Sequence, residues 1–218
     1  MSGRIFWDVD TQYDFMKADG KLYVPGSEEI ISSLAALREF ARSHGVRTVA
    51  SADDHVPEDA ELSHEPDFVT TFPPHCMRGT PGQAKIPETA LHDPLILGSE
   101  QRDAGHVREA VAEHGGDVLL LKHRFDVFTN PNADPVLDVL DPGEIVLFGV
   151  ALDVCNRYAV EGLLSRRPAT RLVLVTDAVR AIDSEEGERL LHGWEERGVE
   201  MVKTNQIVSA VGAEPQVK

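Results

Sequence analysis

The sequence predicts an α/β domain in which a parallel sheet is covered by helices on both faces. Three observations lead there. Apolar runs without polar alternation recur along the chain, as at residues 118–121 and 145–152, and strands buried on both faces read this way. Stretches with apolar residues at helical spacing separate those runs. Strand and helix then alternate to the last apolar run, the pattern of a parallel sheet.

Residues 4–8 read as the first strand, followed by a polar loop through about residue 25. Ser27 is placed to cap a helix whose Ile30, Ile31, Leu34, Leu37, Phe40 and Ala41 fall on one face, and Gly45 ends it. Residues 46–52 form the second strand. Residues 53–98 are rich in Pro, His and Asp with little periodicity; a loop this long in a compact domain points to function. A helix over 100–114 leads to the strand 118–121, and a short helix over 135–140 leads to the strand 144–149. A helix from Cys155 to about residue 166, a strand over 172–176, a helix over 184–197 and a strand over 199–203 complete the pattern.

Composition sets limits on function. A chain of 218 residues, 42% hydrophobic, can bury one good core and reads as a single domain over 1–218. Its 21 Lys and Arg against 37 Asp and Glu give a net charge of −16, which argues against nucleic acid or an anionic membrane as a partner. The longest apolar run is too short to span a bilayer, and the start MSGRIFWDVD lacks a signal-peptide pattern. With only Cys76 and Cys155, a disulfide framework is not expected and a reducing cytoplasm fits.

Ligands of such sheets bind at the carboxyl ends of the strands, and Asp10, Asp53, Lys122 and Cys155 all fall at or just beyond such ends. Cys155 opens a helix, where free N–H groups and the dipole are expected to lower a thiol's pKa. The competing reading is a buried, inert cysteine. Asp10 follows a buried strand, where a carboxylate suits proton transfer; a loop-capping aspartate is the alternative. Lys122, if it points inward, stabilises both the Asp10 carboxylate and a thiolate; otherwise it is a solvated surface lysine. Nucleophile, base and cation together are the chemistry of acyl transfer. Asp14 is expected to hold a turn, and Asp8 suggests no role.

A second constellation is Asp53-Asp54-His55 with His75 some twenty residues on. One carboxylate and two imidazoles suit Zn²⁺ or a similar divalent ion with open positions. Cys76, beside His75, is read as a packed thiol and not a ligand.

These residues carry a resemblance. Asp10-Thr11-Gln12-Tyr13-Asp14-Phe15, Asp53-Asp54-His55, the run from Phe72 to Gly82 (FPPHCMRGTPG), Lys122 with Phe125-Asp126-Val127-Phe128, and Gly149 to Cys155 occur in the order of the isochorismatase-like cysteine hydrolases. The chain resembles the nicotinamidase branch most. The resemblance implies a three-layer α/β/α fold with a six-stranded parallel sheet in the order 3-2-1-4-5-6, and a catalytic triad of Asp10, Lys122 and Cys155. It implies a cis peptide between Val150 and Ala151, with the backbone N–H groups of Ala151 and Cys155 forming an oxyanion hole. Such donors contribute about 3 kcal/mol each in other acyl-transfer enzymes. A divalent metal, zinc first and iron or manganese as alternatives, would be held by Asp53, His55 and His75, completed by water or by one further side chain from among Ser63, His64 and Glu65, with Ser63 the first choice. That metal would bind a pyridine nitrogen and orient the ring, with Phe15 and Phe72 on either side of it. A small-molecule amide as partner and homo-oligomeric assembly are implied as well.

Three departures from that pattern touch the substrate side: Phe72 for a tryptophan, Leu152 for a small hydroxyl residue, and Asp54 for an aromatic. The leading reading is hydrolysis of nicotinamide to nicotinate and ammonia through a thioester. A related hydrolase of another small amide, ureide or carbamoyl compound, or of a vinyl ether such as isochorismate, is the second. A non-catalytic small-molecule-binding member is the third.

Overall fold

The computed structural model describes residues 3–209. Seven strands form one sheet: β1 (Arg4–Val9), β2 (Thr48–Asp53), β3 (Leu95–Leu97), β4 (Val118–Lys122), β5 (Glu144–Val150), β6 (Arg171–Arg180) and β7 (Glu200–Val202). Their order is β3-β4-β2-β1-β5-β6-β7, every pair parallel. The expected order 3-2-1-4-5-6 holds for the six predicted strands. The seventh is β3, added at the edge beyond β4 from the long loop.

The helices are α1 (Tyr13–Met16), α2 (Ile31–His44), α3 (Ala104–Glu113), α4 (Ala133–Leu140), α5 (Cys155–Arg166), α6 (Ser184–Glu196) and α7 (Thr204–Val208). They divide the core in two. One cluster carries Trp7, Val9, Leu120 and Leu147 against Val107, Leu137, Val160 and Trp194 of α3 to α6. The other carries Phe6, Val146, Phe148 and Val173 against Leu34, Leu37 and Phe40 of α2. Alternate residues of β1 thus face opposite layers, as the period-two geometry of a strand requires.

Some local expectations need correction. Ser27 does not cap α2: it lies in a 3₁₀ turn, and its hydroxyl donates to the carbonyls of Phe15 (3.0 Å) and Met16 (3.1 Å). Gly45 does end α2, in the left-handed region. The helices α3 and α6 are capped by Asp103 and Asp183, whose carboxylates accept first-turn N–H groups. Among the described residues no helix is long and apolar enough to cross a membrane.

The junction of β1 and β5 brings the strand ends close. Val9 pairs with Gly149, whose φ is +120°, and a Cβ there would overlap the Val9 carbonyl oxygen. Only glycine fits both the conformation and the approach. Gly149→Ala should therefore cost at least about 2 kcal/mol through overpacking and backbone strain. A fall in the urea unfolding midpoint at unchanged slope is the expected result.

Candidate active site

The sheet order places four chemically active residues beside one another. β4, β2 and β1 end in Lys122, Asp53 and Val9, the last followed by Asp10; β5 leads through residues 151–154 into Cys155 at the start of α5. Asp53 and Lys122 are register partners across β2 and β4. Asp10 sits in the left-handed region at φ 47°, a conformation that aspartate tolerates better than most residues. Its N–H donates to the Ser51 carbonyl, and its Oδ1 accepts the Ser51 hydroxyl at 2.6 Å.

Lys122 is fully buried and points inward. Its Nζ lies 2.9 Å from Asp10 Oδ2, forms a close ion pair with Asp53 Oδ1, and donates to Cys155 Sγ at 3.6 Å. Ligand atoms of Asp10, Asp53 and Cys155 all fall within 4.8 Å of one another. Although burial works against a charged ammonium, the Asp10 and Asp53 carboxylates hold the Lys122 pKa well above its ordinary value.

Cys155 departs from expectation in its electrostatics. Burial pushes its thiol pKa well up; Lys122 pulls it down, and the charges of Asp10, Asp53 and Glu61 push it up again. The helix N-terminus does not prevail over desolvation. At rest the thiol keeps its proton, so any nucleophilic role requires a base within reach. Among the described residues, the N–H groups of Ala151 and Cys155 have no backbone or side-chain acceptor, and the Val150–Ala151 peptide is cis.

Beside this group stands a second cluster. Asp53, His55, Glu61 and His75 are all buried, with one ligand atom from each lying within 4.8 Å of the others. Asp53 Oδ2 is 3.8 Å from His55 Nε2 and 3.6 Å from His75 Nε2, and His55 Nε2 is 4.0 Å from Glu61 Oε1. His75 Nδ1 donates to the Pro73 carbonyl at 2.7 Å, which leaves Nε2 as its lone-pair atom. Two buried atoms here, His55 Nε2 and Glu61 Oε2, have no hydrogen-bond partner. Two carboxylates and two inward imidazole nitrogens, with orphaned polar atoms among them, fit a divalent cation. Burial and the Asp53 charge push the Glu61 carboxyl up to about 7. Burial opposes ionisation of Asp53 too, but Lys122 and the two histidines hold it well below the usual carboxylate range.

Backbone pairing explains how an aperiodic loop supplies these groups. The His55 N–H donates to the Cys76 carbonyl and the Arg78 N–H to the His55 carbonyl, aligning 55 with 76–78. The Phe72 N–H donates to the Glu61 carbonyl, setting Glu61 beside Phe72. Among the acidic and imidazole groups Glu61 takes the fourth place, while the expected Ser63 has its hydroxyl accepting the Glu65 N–H at 3.0 Å. Glu61 escaped sequence reading because nothing in residues 53–80 marks which acid turns inward.

Gln12 was overlooked as well. Its Oε1 accepts the Asp53 N–H at 2.7 Å, and its Nε2 donates to the carbonyls of Asp53 and Gln83, clamping the end of β2. Asp14 holds its turn as expected, accepting the N–H groups of Lys21 and Cys76. Asp54 points away from the site, into an ion pair with Arg78 and a contact with Gln83. Leu152 is buried in the core, its N–H donating to the Arg180 carbonyl. Cys76 packs in the apolar cluster and is no part of the ligand set. Asp8 turns out to be buried with Lys85, 3.2 Å away, and Thr11.

Both clusters open on one pocket. Phe15, Phe72 and Phe125 supply aromatic walls, Leu22, Val24, Val154 and Ile182 apolar ones, and Cys155, Asp53, Glu61 and His75 the polar groups. A neutral planar molecule could meet both the thiol and the ligand cluster at once.

A parallel α/β/α sheet with a thiol, a carboxylate and a buried lysine at its carboxyl edge defines a class of hydrolase. Comparison gives the family: the isochorismatase domain model matches residues 8–206, and the chain belongs to that family. It is 28% identical over 169 residues to the nicotinamidase/pyrazinamidase of Mycobacterium tuberculosis (strain ATCC 25618 / H37Rv), covering 76% of this chain and 81% of that protein. The crystal structure of the pyrazinamidase of Pyrococcus horikoshii in complex with zinc shares the fold, with a TM-score of 0.72, 23% identity and coverage of 92% and 98%. The N-carbamoylsarcosine amidase from Thermoplasma acidophilum shares it at a TM-score of 0.68, 24% identity and coverage of 93% and 97%.

The unfolded thiol ionises near its ordinary value of about 8.5, below the raised value of the buried one. Stability is therefore lost as pH rises above the unfolded value. Alkaline urea unfolding should weaken the native protein more than Cys155→Ala, and alkylation of Cys155 should keep accelerating beyond pH 9 without a plateau.

Proposed function

We propose that this protein hydrolyses the carboxamide of a neutral aromatic amide, nicotinamide first, to the carboxylate and ammonia. The observation that carries the reading is the Lys122 ammonium shared by Asp10, Asp53 and Cys155, which ties a nucleophile and its base to a ligand cluster facing the same pocket.

In the proposed reaction Asp10 takes the Sγ proton of Cys155, and the thiolate attacks the amide carbonyl carbon. Lys122 offsets the charge on sulfur, and the N–H groups of Ala151 and Cys155 receive the developing oxyanion. The C–N bond breaks as Asp10 delivers its proton to nitrogen, releasing ammonia and leaving a thioester. Asp10 then takes a proton from water, whose oxygen attacks the thioester carbonyl. The C–S bond breaks, the acid departs, and the proton held by Asp10 returns to sulfur. Asp53, His55, Glu61 and His75 are the residues that would hold a divalent metal, zinc being the first candidate because a zinc complex is known for the Pyrococcus horikoshii neighbour. When bound, the ion supplies a Lewis-acid anchor for a ring nitrogen of the substrate. Phe15 and Phe72 bound the ring.

The carbamoyl-compound reading is less well supported by the pocket. Its lining has two carboxylates and neither Lys nor Arg, which disfavours a substrate that carries its own carboxylate.

Ammonia release tests the proposal. The zinc-loaded protein should release it from nicotinamide, and prior chelation should lower the rate. Cys155→Ala should reduce kcat by about 10³-fold or more while KM stays near its native value. Absence of ammonia from nicotinamide and pyrazinamide, with Cys155 still open to alkylation, would sink the substrate assignment. A neutral pyridine carboxamide should also exceed N-carbamoylsarcosine in kcat/KM, by about 100-fold at the charge separations involved.

A further inference from the structure

One further carboxylate is built against the ligand cluster and has no place in the reaction above. Asp59 Oδ2 meets three nitrogens at 3.0 Å: the Val56 N–H, His55 Nδ1 and His123 Nδ1. A carboxylate only accepts, so both imidazoles present Nδ1–H to it. In the neutral ring that choice leaves His55 Nε2 as the lone-pair atom, and Nε2 faces Asp53 and Glu61 with no hydrogen-bond partner of its own. His75 reaches the same state by donating Nδ1–H to the Pro73 carbonyl. The backbone performs for one histidine what a side chain performs for the other.

We infer that Asp59 is a positioning residue: it locks His55 in the Nδ1–H tautomer and fixes its ring toward Asp53, Glu61 and His75, while His123 holds the Asp59 carboxylate from the other side. The consequence for metal affinity rests on the reading of those four groups as ligands. The tautomer does not.

His55, Asp59 and His123 also bring ligand atoms within 4.8 Å of one another. A second cation there is the weaker reading. It would displace the Val56 N–H and the His123 N–H from Oδ2 and require His55 to give up its Nδ1 proton. His123 follows Lys122 directly, so Asp59 joins the ligand loop to the strand end that carries the buried ammonium.

The test combines histidine long-range ¹H–¹⁵N spectra of the metal-free protein, recorded at about pH 8, above the ordinary imidazole value, with zinc affinity from chelator competition. Asp59→Asn keeps an acceptor for the Val56 N–H and so preserves the turn; Asp59→Ala and His123→Ala remove one partner each. We expect His55 as the Nδ1–H tautomer in the native protein and a tautomer mixture in Asp59→Ala. Zinc affinity should fall about 10- to 100-fold in both Asp59 variants, less in His123→Ala, with the melting temperature of Asp59→Asn nearly unchanged. An Nε2–H tautomer in the native protein would overturn the inference. So would Asp59 variants whose tautomer and zinc affinity match the native protein. A native protein that binds no zinc, yet whose His55 tautomer shifts in Asp59→Ala, would refute the metal reading and leave the positioning role standing.

Discussion

A single buried ammonium organises this end of the molecule. Taking Lys122 out of water costs several kcal/mol, and only close, opposite charge can offset it. Asp10 and Asp53 supply that charge from two neighbouring strand ends, and the Cys155 sulfur approaches from a third. Strand order makes this possible: with β4, β2, β1 and β5 adjacent, residues far apart in sequence arrive within one side chain's length. The dependence runs both ways. Neutralising either carboxylate leaves the ammonium underpaired, and removing the ammonium leaves two buried carboxylates facing each other.

That same charge balance governs the thiol. Cys155 sits at a helix N-terminus and beside a cation, both of which favour thiolate. It is also buried among Asp10, Asp53 and Glu61, and burial decides the outcome. A resting thiol that keeps its proton is protected from casual oxidation and alkylation, since the thiolate is the reactive form. On the proposed reading its activation falls to Asp10, which has a carboxylate oxygen within 4.8 Å of the sulfur.

Much of this was legible in the chain, because apolar runs and helical spacing report burial directly. The six expected strands, the helices between them, and the convergence of Asp10, Asp53, Lys122 and Cys155 at strand ends follow from pattern alone. The edge strand β3 is three residues long, with Leu95 and Ile96 only partly covered, so it carries no periodic signal. Ser27 looked like a cap because its spacing to the apolar face is right, yet its hydroxyl serves the α1 carbonyls. Glu61 carries no sequence signal because its inward placement is set by backbone pairing with Phe72, eleven residues further on, which no local pattern encodes. The pKa direction of Cys155 differs from the sequence expectation for a similar reason: local sequence shows the helix start but not how completely the site is enclosed.

The two kinds of structure at the site divide its chemistry. The sheet supplies Asp10, Asp53 and Lys122 through backbone register, and any slip by one residue would turn them to the opposite face. The loop between β2 and β3 supplies His55, Glu61, Phe72 and His75, held by short backbone bridges, by Gln12 and Asp14 from the β1 side, and by Asp59. Loop residues can change without disturbing the register that positions the thiol, base and lysine. Two of the three departures from the family's pattern, Phe72 and Asp54, lie in that loop, and Leu152 follows β5; of the three, Phe72 is the one that lines the pocket. Phe72 and Glu61 fit that division: both line the pocket, and neither belongs to the ion pairs of Lys122. Asp53 is the exception, since one oxygen pairs with Lys122 and the other faces the imidazoles. Through that one carboxylate the charge state of the ligand cluster is felt by the lysine beside the thiol, and in the proposed reaction this would couple ring binding electrostatically to bond cleavage.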